Sequence, residues 1–462
     1  MSVAFVKKAL TPRVKKWVKK YTRFSARDGA EHQWATLRVA ERKNCAIENG
    51  VVRAGLGLQP FTQKDGTPVS NVAKNAVPQT FFWFLDDTNK QRLAGLTKTG
   101  AFYIYGTNGW ALRAQFTAPM HAFPVRNQSG DFVAFVGGAG YATYFGKSGD
   151  LTFYSREAFL PIGCSAQGRV FCATAENEIA YFAAFDVSNV IADGENVGRI
   201  RLPSSAGEIV AMVGLNDRVA VFCARGIFIV KVQGSGGDFV IENVLFDGGT
   251  IFGKSVAHIK EQGDKIAFLT ENGVYLFHDA SVKKLNLDME ILPKRMGQVC
   301  DQGVADGKYV LAYLDQDGEE KCAVIDVENG NAYACFTANG FCSADGTAAC
   351  VKHLSVYLFS KDGDFPAGQS AEVKFYSDGD VIGKKTLKNI TLYGKGKVDM
   401  TVASAYATKV FALDLTSGKQ TVKMDVQGEG FDVVCQMPTG SEIWACRMEF
   451  CKSKDGFLGV KK

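Results

Sequence analysis

The sequence lacks any run of the roughly 18 uncharged apolar residues that a membrane-spanning helix requires, so a helical membrane span is not expected. The N-terminal region also lacks the apolar stretch and small-residue cleavage site of a secretory signal. Prolines are few, with 11 against 49 glycines, while hydrophobic residues make up 46% of the chain and charged residues 22%. This balance excludes a disordered or collagen-like chain and predicts a protein with a packed core.

Signals of chemistry are also scarce. None of the 12 cysteines lies in a C-x-x-C pair or at zinc-finger spacing from a histidine, and most have apolar neighbours, as Cys172 does in RVFCAT. We therefore predict buried thiols in a reducing compartment. The five histidines are scattered, and no nucleophile–base pair or carboxylate pair can be recognised. The sequence predicts no enzyme, no metal site and no cofactor.

One motif suggests nucleotide binding. GGTIFGKS, residues Gly248–Ser255, satisfies the phosphate-loop pattern G-x-x-x-x-G-K-[ST]. A phosphate loop must follow a buried parallel strand and begin a helix, whereas the next residues alternate in polarity and meet Gly263 within eight positions. A glycine-rich connection between strands is the preferred interpretation, and nucleotide binding is the alternative.

A hairpin pattern recurs along the chain. Five windows of 15 residues align without gaps, and a looser sixth copy contains Asp317-Gly318 in its turn. The windows begin at Arg92, Phe132, Arg169, Arg218, Lys265 and, for the sixth, Tyr309. Each contains an apolar run, a turn with Gly or Asn at the ninth position, and a second apolar run. Asp-Gly occurs ten times and Asn-Gly five times, as expected for many tight turns.

The spacing of the hairpins predicts the architecture. Successive copies begin 37–49 residues apart, which leaves room for two further strands per copy. Four strands in about 45 residues is the period of a β-propeller blade. We predict an all-β chain with a propeller over residues 34–369, of six blades with seven as the alternative. Longer alternating strands predict a C-terminal antiparallel β-sandwich over residues 370–452, followed by a Lys-rich tail over 453–462.

The first 33 residues are predicted to form a basic helix or arm. The first 30 residues contain nine Lys and Arg against one acid, a net charge of +8, whereas the other 432 residues sum to −3. Thr11 and Pro12 suit a helix start, and one helical face would be apolar and the other basic. Such a helix requires a partner surface, on its own body or, as we prefer, on a neighbouring subunit. The predicted docking residues are Val14, Trp17, Val18, Tyr21, Lys15, Lys16, Lys19 and Lys20.

Several segments resemble a known family. Val210–Leu285, with its two hairpins and the glycine-rich connection between them, resembles the propeller proteins of tailed-bacteriophage necks and tail tubes, which are called nozzle, stabilization or tubular B proteins. Asn44–Phe61 is similar to the entry segment of that family, and KKTLKNITLYGKGKVDMTV is similar to its C-terminal β-domain. The basic N-terminal segment is a departure from the family pattern.

The resemblance implies a virion structural protein in the tail or neck, assembled in the host cytoplasm. Such a subunit would form a homo-oligomeric ring, with six copies expected, that contacts the portal or its adaptor and other tail proteins. Genomic DNA would pass through the ring without sequence-specific binding. The alternative function is an intracellular β-propeller scaffold that binds proteins without catalysis. Neither interpretation includes a membrane span.

Overall fold

The computed structural model describes residues 16–25, 36–86, 88–117, 119–126, 131–138, 140–145, 150–154, 159–175, 177–182, 184, 198–233, 238–289, 291, 299–336, 340–352, 354–377 and 383–452. Within these residues the secondary structure consists of strands β1–β40, numbered in chain order, and 3-10 turns at Ser204–Ala206, Gly253–Ser255 and Lys260–Gln262. None of the described helical segments is long and apolar enough to cross a bilayer. The chain divides into two compact units, residues 57–363 and residues 1–56 with 364–462.

Residues 57–363 form a β-propeller. Its first three blades are antiparallel four-stranded sheets, each made of strands consecutive in the sequence. Blade 1 comprises β7 Pro78–Leu85, β8 Gln91–Thr97, β9 Ala101–Gly106 and β10 Gly109–Gln115. Blade 2 comprises β11 His121–Arg126, β12 Asp131–Gly137, β13 Gly140–Phe145 and β14 Asp150–Tyr154. Blade 3 comprises β15 Phe159–Ala166, β16 Arg169–Thr174, β17 Glu178–Tyr181 and β18 Gly198–Arg201.

Blades 4–6 repeat this arrangement. Blade 4 comprises β19 Ile209–Gly214, β20 Arg218–Cys223, β21 Gly226–Gln233 and β22 Asp238–Val244. Blade 5 comprises β23 Ala257–Ile259, β24 Lys265–Thr270, β25 Gly273–His278 and β26 Ser281–Lys284. Blade 6 comprises β27 Val299–Ala305, β28 Lys308–Leu314, β29 Glu320–Ile325 and β30 Ala332–Cys335. The six predicted hairpins are the two middle strands of these six blades.

A seventh blade closes the ring. It comprises β31 Phe341–Ala344, β32 Thr347–Lys352 and β33 Ser355–Ser360, with β6 Gly57–Pro60 as its outer strand. The first strands of successive blades contact one another, except that β19 of blade 4 contacts the turn Gly253–Ser255 that leads into blade 5, and β31 pairs in parallel with β7 of blade 1. The described strands therefore make seven blades, the predicted alternative to six. The hairpin of β32 and β33 differs from the six predicted copies because the two residues between its strands, His353 and Leu354, include no Gly or Asn.

The propeller core lies between neighbouring blades. Phe102 of blade 1 packs edge-on against Phe135 of blade 2 with 4.7 Å between ring centroids, and both side chains are buried. Phe222 of blade 4 and Phe268 of blade 5 make the same kind of contact at 5.3 Å. Turn chemistry also follows the prediction at Gly100 and Asn177, whose φ angles of 85° and 62° suit these two residue types.

The second unit is a sandwich of two six-stranded sheets around one core. The first sheet contains β38 Lys419–Gly428, β35 Lys385–Lys395, β40 Glu442–Lys452, β5 Val51–Ala54 and β4 Cys45–Glu48 in that order, with β1 Lys16–Tyr21 also paired to β40. The second contains β2 Arg23–Ser25, β3 Thr36–Lys43, β34 Ala371–Ser377, β39 Phe431–Met437, β36 Lys397–Ala403 and β37 Thr408–Asp414.

The division of the chain differs from the predicted boundaries. Residues 36–56, which the sequence interpretation assigned to the propeller, contribute β3, β4 and β5 to the sandwich unit. The propeller is thus inserted between two halves of the sandwich sequence. Buried Cys45, Ile47 and Val52 share a core with residues of the C-terminal strands, which explains why this segment belongs there. The predicted tail over 453–462 lies outside the described residues.

Candidate functional site

The N-terminal docking segment is a strand where it is described. We predicted a helix, but Lys16–Tyr21 forms β1 and pairs antiparallel with β40, from Lys16 opposite Cys451 to Tyr21 opposite Cys446. Trp, Val and Tyr favour strands, and the free edge of β40 provides hydrogen-bonding partners that outweigh the local helical pattern. Val14 and Lys15 of the predicted docking set lie outside the described residues.

The strand separates the side chains that the helix would have placed on one face. Tyr21 packs against the sandwich core, and its hydroxyl lies 3.0 Å from the Ser377 hydroxyl in a hydrogen bond. Lys19 is on the same side of β1 as Tyr21 and is half-buried. Lys16, Val18 and Lys20 lie on the opposite, solvent-exposed side, where Val18 is 45% exposed. Trp17 lies within β1, opposite Phe450.

The phosphate-loop match is a connection between blades 4 and 5. Gly253–Ser255 forms a 3-10 turn, and the chain then enters β23 at Ala257 rather than a helix. Ser255 is fully buried: its hydroxyl donates to the Phe252 carbonyl at 2.6 Å and accepts from the Leu269 amide at 2.8 Å. The Tyr309 hydroxyl donates to the Ser255 carbonyl at 2.6 Å, which ties the turn to blade 6. These contacts give the serine a structural role.

A pocket of about 270 Å³ lies where the first strands of blades 3, 4 and 6 approach one another. Its walls come from β15, from β19 and the residue before it, from the turn at Gly253, and from the start of β27. Glu208 and Lys254 are its charged lining residues. The position next to the ring axis makes this pocket the candidate binding site of the propeller.

An ion pair lies beside this pocket. Lys98, in the turn between β8 and β9, donates to the Asp301 carboxylate at 2.9 Å. Burial raises the pKa of Asp301, and the positive charges of Lys98 and Lys254 oppose that shift. The pair links blade 1 to blade 6 across blade 7. The pair places two opposite charges near the ring axis. A carboxylate and an ammonium group without a nucleophile do not make a catalytic set.

The other titratable groups that the structure describes lie in positions that indicate a structural role. Burial lowers the pKa of His121 to about 4 and also lowers that of His258, whose ring lies 2.9 Å from Asp264. Eleven cysteines are buried and free, as their apolar neighbours predicted. Within the described part of the chain, no three or more His, Cys, Asp or Glu side chains are placed to hold a metal ion.

Sequence reasoning missed three features. The Lys98–Asp301 pair joins residues 203 positions apart, and Glu178 on β17 accepts hydrogen bonds from Arg199 and Arg201 on the paired strand β18. The basic outer face of the sandwich, described below, was also missed. The sequence signal for that face was alternation of lysines with apolar residues in β1 and β38, which becomes visible only when both segments are read as strands.

No protein-family model and no curated protein matches the chain. Solved structures similar to it include a fungal alcohol oxidase of the AA5 family in complex with copper (12% identity, 79% of this chain and 92% of that chain, TM-score 0.41). Virginiamycin B lyase from Staphylococcus aureus with quinupristin (11% identity, 66% and 99%, TM-score 0.43) and Kluyveromyces lactis Hsv2 (12% identity, 66% and 95%, TM-score 0.37) are also similar. At these values the similarity carries no activity, substrate or partner to this chain. The β-propeller assignment rests on the strand pairing described above.

Proposed function

We propose that this protein is a ring-forming structural subunit of a tailed-phage virion, located in the neck or tail and extending the channel through which DNA leaves. The proposal takes the family resemblance of Val210–Leu285 as its starting point, and that segment spans most of blade 4 and all of blade 5. The partners would be identical copies, six in the expected ring, together with the portal or its adaptor and other tail proteins. No cofactor is part of the proposal.

The observation that carries the proposal is the open edge strand β37. It is the outermost strand of its sheet and pairs only with β36 among the described residues. Its outward-facing side chains are Thr408, Val410, Ala412 and Asp414, all exposed, with Val410 69% exposed. Lys409 and Asp414 lie near the two ends of this strand, and residues 410–413 between them are uncharged. The middle of the edge therefore presents unpaired backbone groups to another chain, whereas soluble monomers usually block such edges with charge, proline or a bulge. An edge of this kind suits a subunit contact.

The charge distribution is compatible with a conduit. Residues 57–363 contain 26 Lys and Arg against 32 Asp and Glu, a net charge of −6. Affinity for DNA comes largely from cations that displace counterions from phosphates. A propeller with net negative charge therefore has little tendency to retain DNA that passes it. Repeating contacts between unlike surfaces would close identical subunits into a ring.

Imaging and mass measurement of the purified full-length chain test the proposal. Native mass spectrometry and negative-stain electron microscopy should show closed rings of identical subunits. Val410→Asp should shift the population to monomers, because a carboxylate at the edge opposes strand pairing. Leu112→Asp, on propeller strand β10 at a residue that is 55% exposed, is the matched control and should leave the rings intact.

Rings that persist in Val410→Asp would show that β37 is not the contact. A wild-type chain that stays monomeric at all concentrations, and that forms a defined complex with one cellular protein, would replace the virion role with that of a protein-binding scaffold.

A further inference from the structure

The outer face of the first sandwich sheet concentrates positive charge. Along strands β38, β35, β40 and β1, the side chains that point away from the core include seven cations and three acids, a net charge of +4. We call this surface the lysine face. Its cations are Lys16, Lys20, Lys388, Lys395, Lys419, Lys423 and Arg447. With strands about 4.8 Å apart, the four strands span about 15 Å.

The strand register places these cations next to one another. Lys20 of β1 lies directly opposite Arg447 of β40, a pair of like charges on adjacent strands. Arg447 in turn is opposite Thr391 of β35, which is opposite Thr421 of β38, so this row contains two cations and two hydroxyl groups. Like charges placed opposite each other are destabilising, so the arrangement is costly unless an anion lies across them.

The three acids of the face already have partners. Glu442 lies 3.5 Å from the guanidinium of Arg53. Glu449 accepts a hydrogen bond from the Asn389 amide at 2.9 Å, and Asp425 forms an ion pair with Lys388. The remaining six cations form no ion pair with the acidic side chains that the structure describes, and five of them are exposed lysines. The face therefore has positive charge available for a ligand.

The chemistry of the face favours a phosphate backbone over an acidic protein. Protein interfaces are depleted in lysine and place apolar and aromatic side chains together at their centre. On this face the two exposed large apolar side chains, Val18 beside Glu449 and Trp444 near the start of β40, lie apart from each other. Lys, Arg, Thr and Asn are the side chains that contact phosphate oxygens in nucleic-acid complexes. The sandwich unit as a whole contains 27 Lys and Arg against 16 Asp and Glu, a net charge of +11.

We infer that the lysine face binds the phosphate backbone of double-stranded DNA without sequence preference. The inference stands on the charge and register of the sandwich, and it does not require the ring. The bases are not read, because a flat sheet face without a protruding element does not enter a groove. Binding depends on release of counterions, so it weakens steeply as salt rises.

Fluorescence anisotropy with the full-length chain and a labelled 20-base-pair duplex tests this inference. Two duplexes of unrelated sequence should bind equally, with a slope of log K against log salt of about −4 for four to five phosphate contacts. The double variant Lys20→Gln with Arg447→Gln should weaken binding about tenfold or more at low salt. It should also reduce the slope by about 2.

Lys283→Gln with Lys284→Gln, two exposed lysines of propeller strand β26, removes the same charge and should leave both affinity and slope unchanged. Equal weakening by the two double variants would overturn the inference, as would wild-type affinity in the Lys20 and Arg447 variant, since either result would place binding elsewhere on the chain. Tighter binding of polyglutamate than of DNA, with DNA failing to displace it, would identify an acidic protein as the ligand and reject DNA.

Discussion

The propeller and the sandwich differ in whether the edges of their strands are paired within the chain. In the propeller, β6 completes the seventh blade and β31 pairs with β7, so the ring is closed by hydrogen bonds between distant parts of the sequence. The sandwich leaves β37 open and carries a face of unpaired cations. The net charge is −6 for the propeller unit and +11 for the sandwich unit. The comparison shows that the propeller pairs its strand edges within the chain, whereas the sandwich leaves an edge strand and a charged face exposed.

Truncation of one core phenylalanine in each unit is expected to have the largest effect. Phe102→Ala in the propeller and Phe450→Ala in the sandwich each remove a fully buried ring and should lower the free energy of unfolding of the mutated unit by about 3–5 kcal/mol. If the units unfold independently, urea unfolding and calorimetry will each show two transitions. Each variant will then shift only the transition of the unit that carries the substitution. A single transition that moves equally in both variants would remove the distinction between the units.

The second-largest effect on stability is expected from Asp86, a buried aspartate in a turn of the propeller. The Asp86 carboxylate accepts hydrogen bonds from the Thr88 hydroxyl at 2.6 Å, the Lys90 amide at 2.9 Å and the Arg92 guanidinium at 2.9 Å. Burial raises the pKa of Asp86, but these hydrogen bonds outweigh burial and hold it below the ordinary value. Asp86→Asn should therefore cost about 2 kcal/mol at pH 7.

The sign of the pH dependence follows from that lowered pKa. The stabilisation by Asp86 is complete above the ordinary aspartate pKa of about 4 and is lost as the pH falls towards the lower pKa of the folded state. The deficit of Asp86→Asn should thus shrink between pH 7 and pH 3.5 in urea unfolding. Asp414→Asn, at the exposed end of strand β37 in the sandwich, is the control and should have the smaller effect. A deficit that is independent of pH would show that the ionised carboxylate is not responsible.

The smallest effect on the free energy of unfolding is expected from replacing a single lysine. Its size should differ between a lysine in an ion pair and a lysine without one. Lys98→Met leaves Asp301 without its ammonium partner, which should cost about 1 kcal/mol at pH 7 because the pair is partly exposed. Loss of Lys98 should raise the pKa of Asp301 further. A raised pKa in the folded state means that protonation favours folding, so the deficit should diminish as the pH falls towards 4.

Lys20→Met on the lysine face provides the comparison in the sandwich. It removes a like charge opposite Arg447 and should leave stability unchanged or slightly higher. Denaturant unfolding of both variants at pH 7 and pH 4 measures the difference. Equal losses in the two variants would contradict the contrast between a paired propeller cation and a free sandwich cation.

Much of the fold was predictable from short windows of sequence. Six hairpins, the turn residues Gly100 and Asn177 and the buried cysteines all depend on local backbone preference and on local alternation of apolar residues. The N-terminal segment was predicted incorrectly for a physical reason: its pattern is compatible with an amphipathic helix, and pairing with β40 decided otherwise. The lysine face and the Lys98–Asp301 pair were not predictable, because their members are adjacent only across strands.

By itself, the sequence determined that this protein consists of four-stranded units joined by tight turns, because side-chain alternation and positive φ angles are properties of a few neighbouring residues. Only the tertiary structure decided that β6 completes the seventh blade, that residues 36–56 join the sandwich, and that the cations of β1 lie beside those of β40. Those pairings depend on which strand edges remain open after the local units form, and no single segment of the chain contains that information.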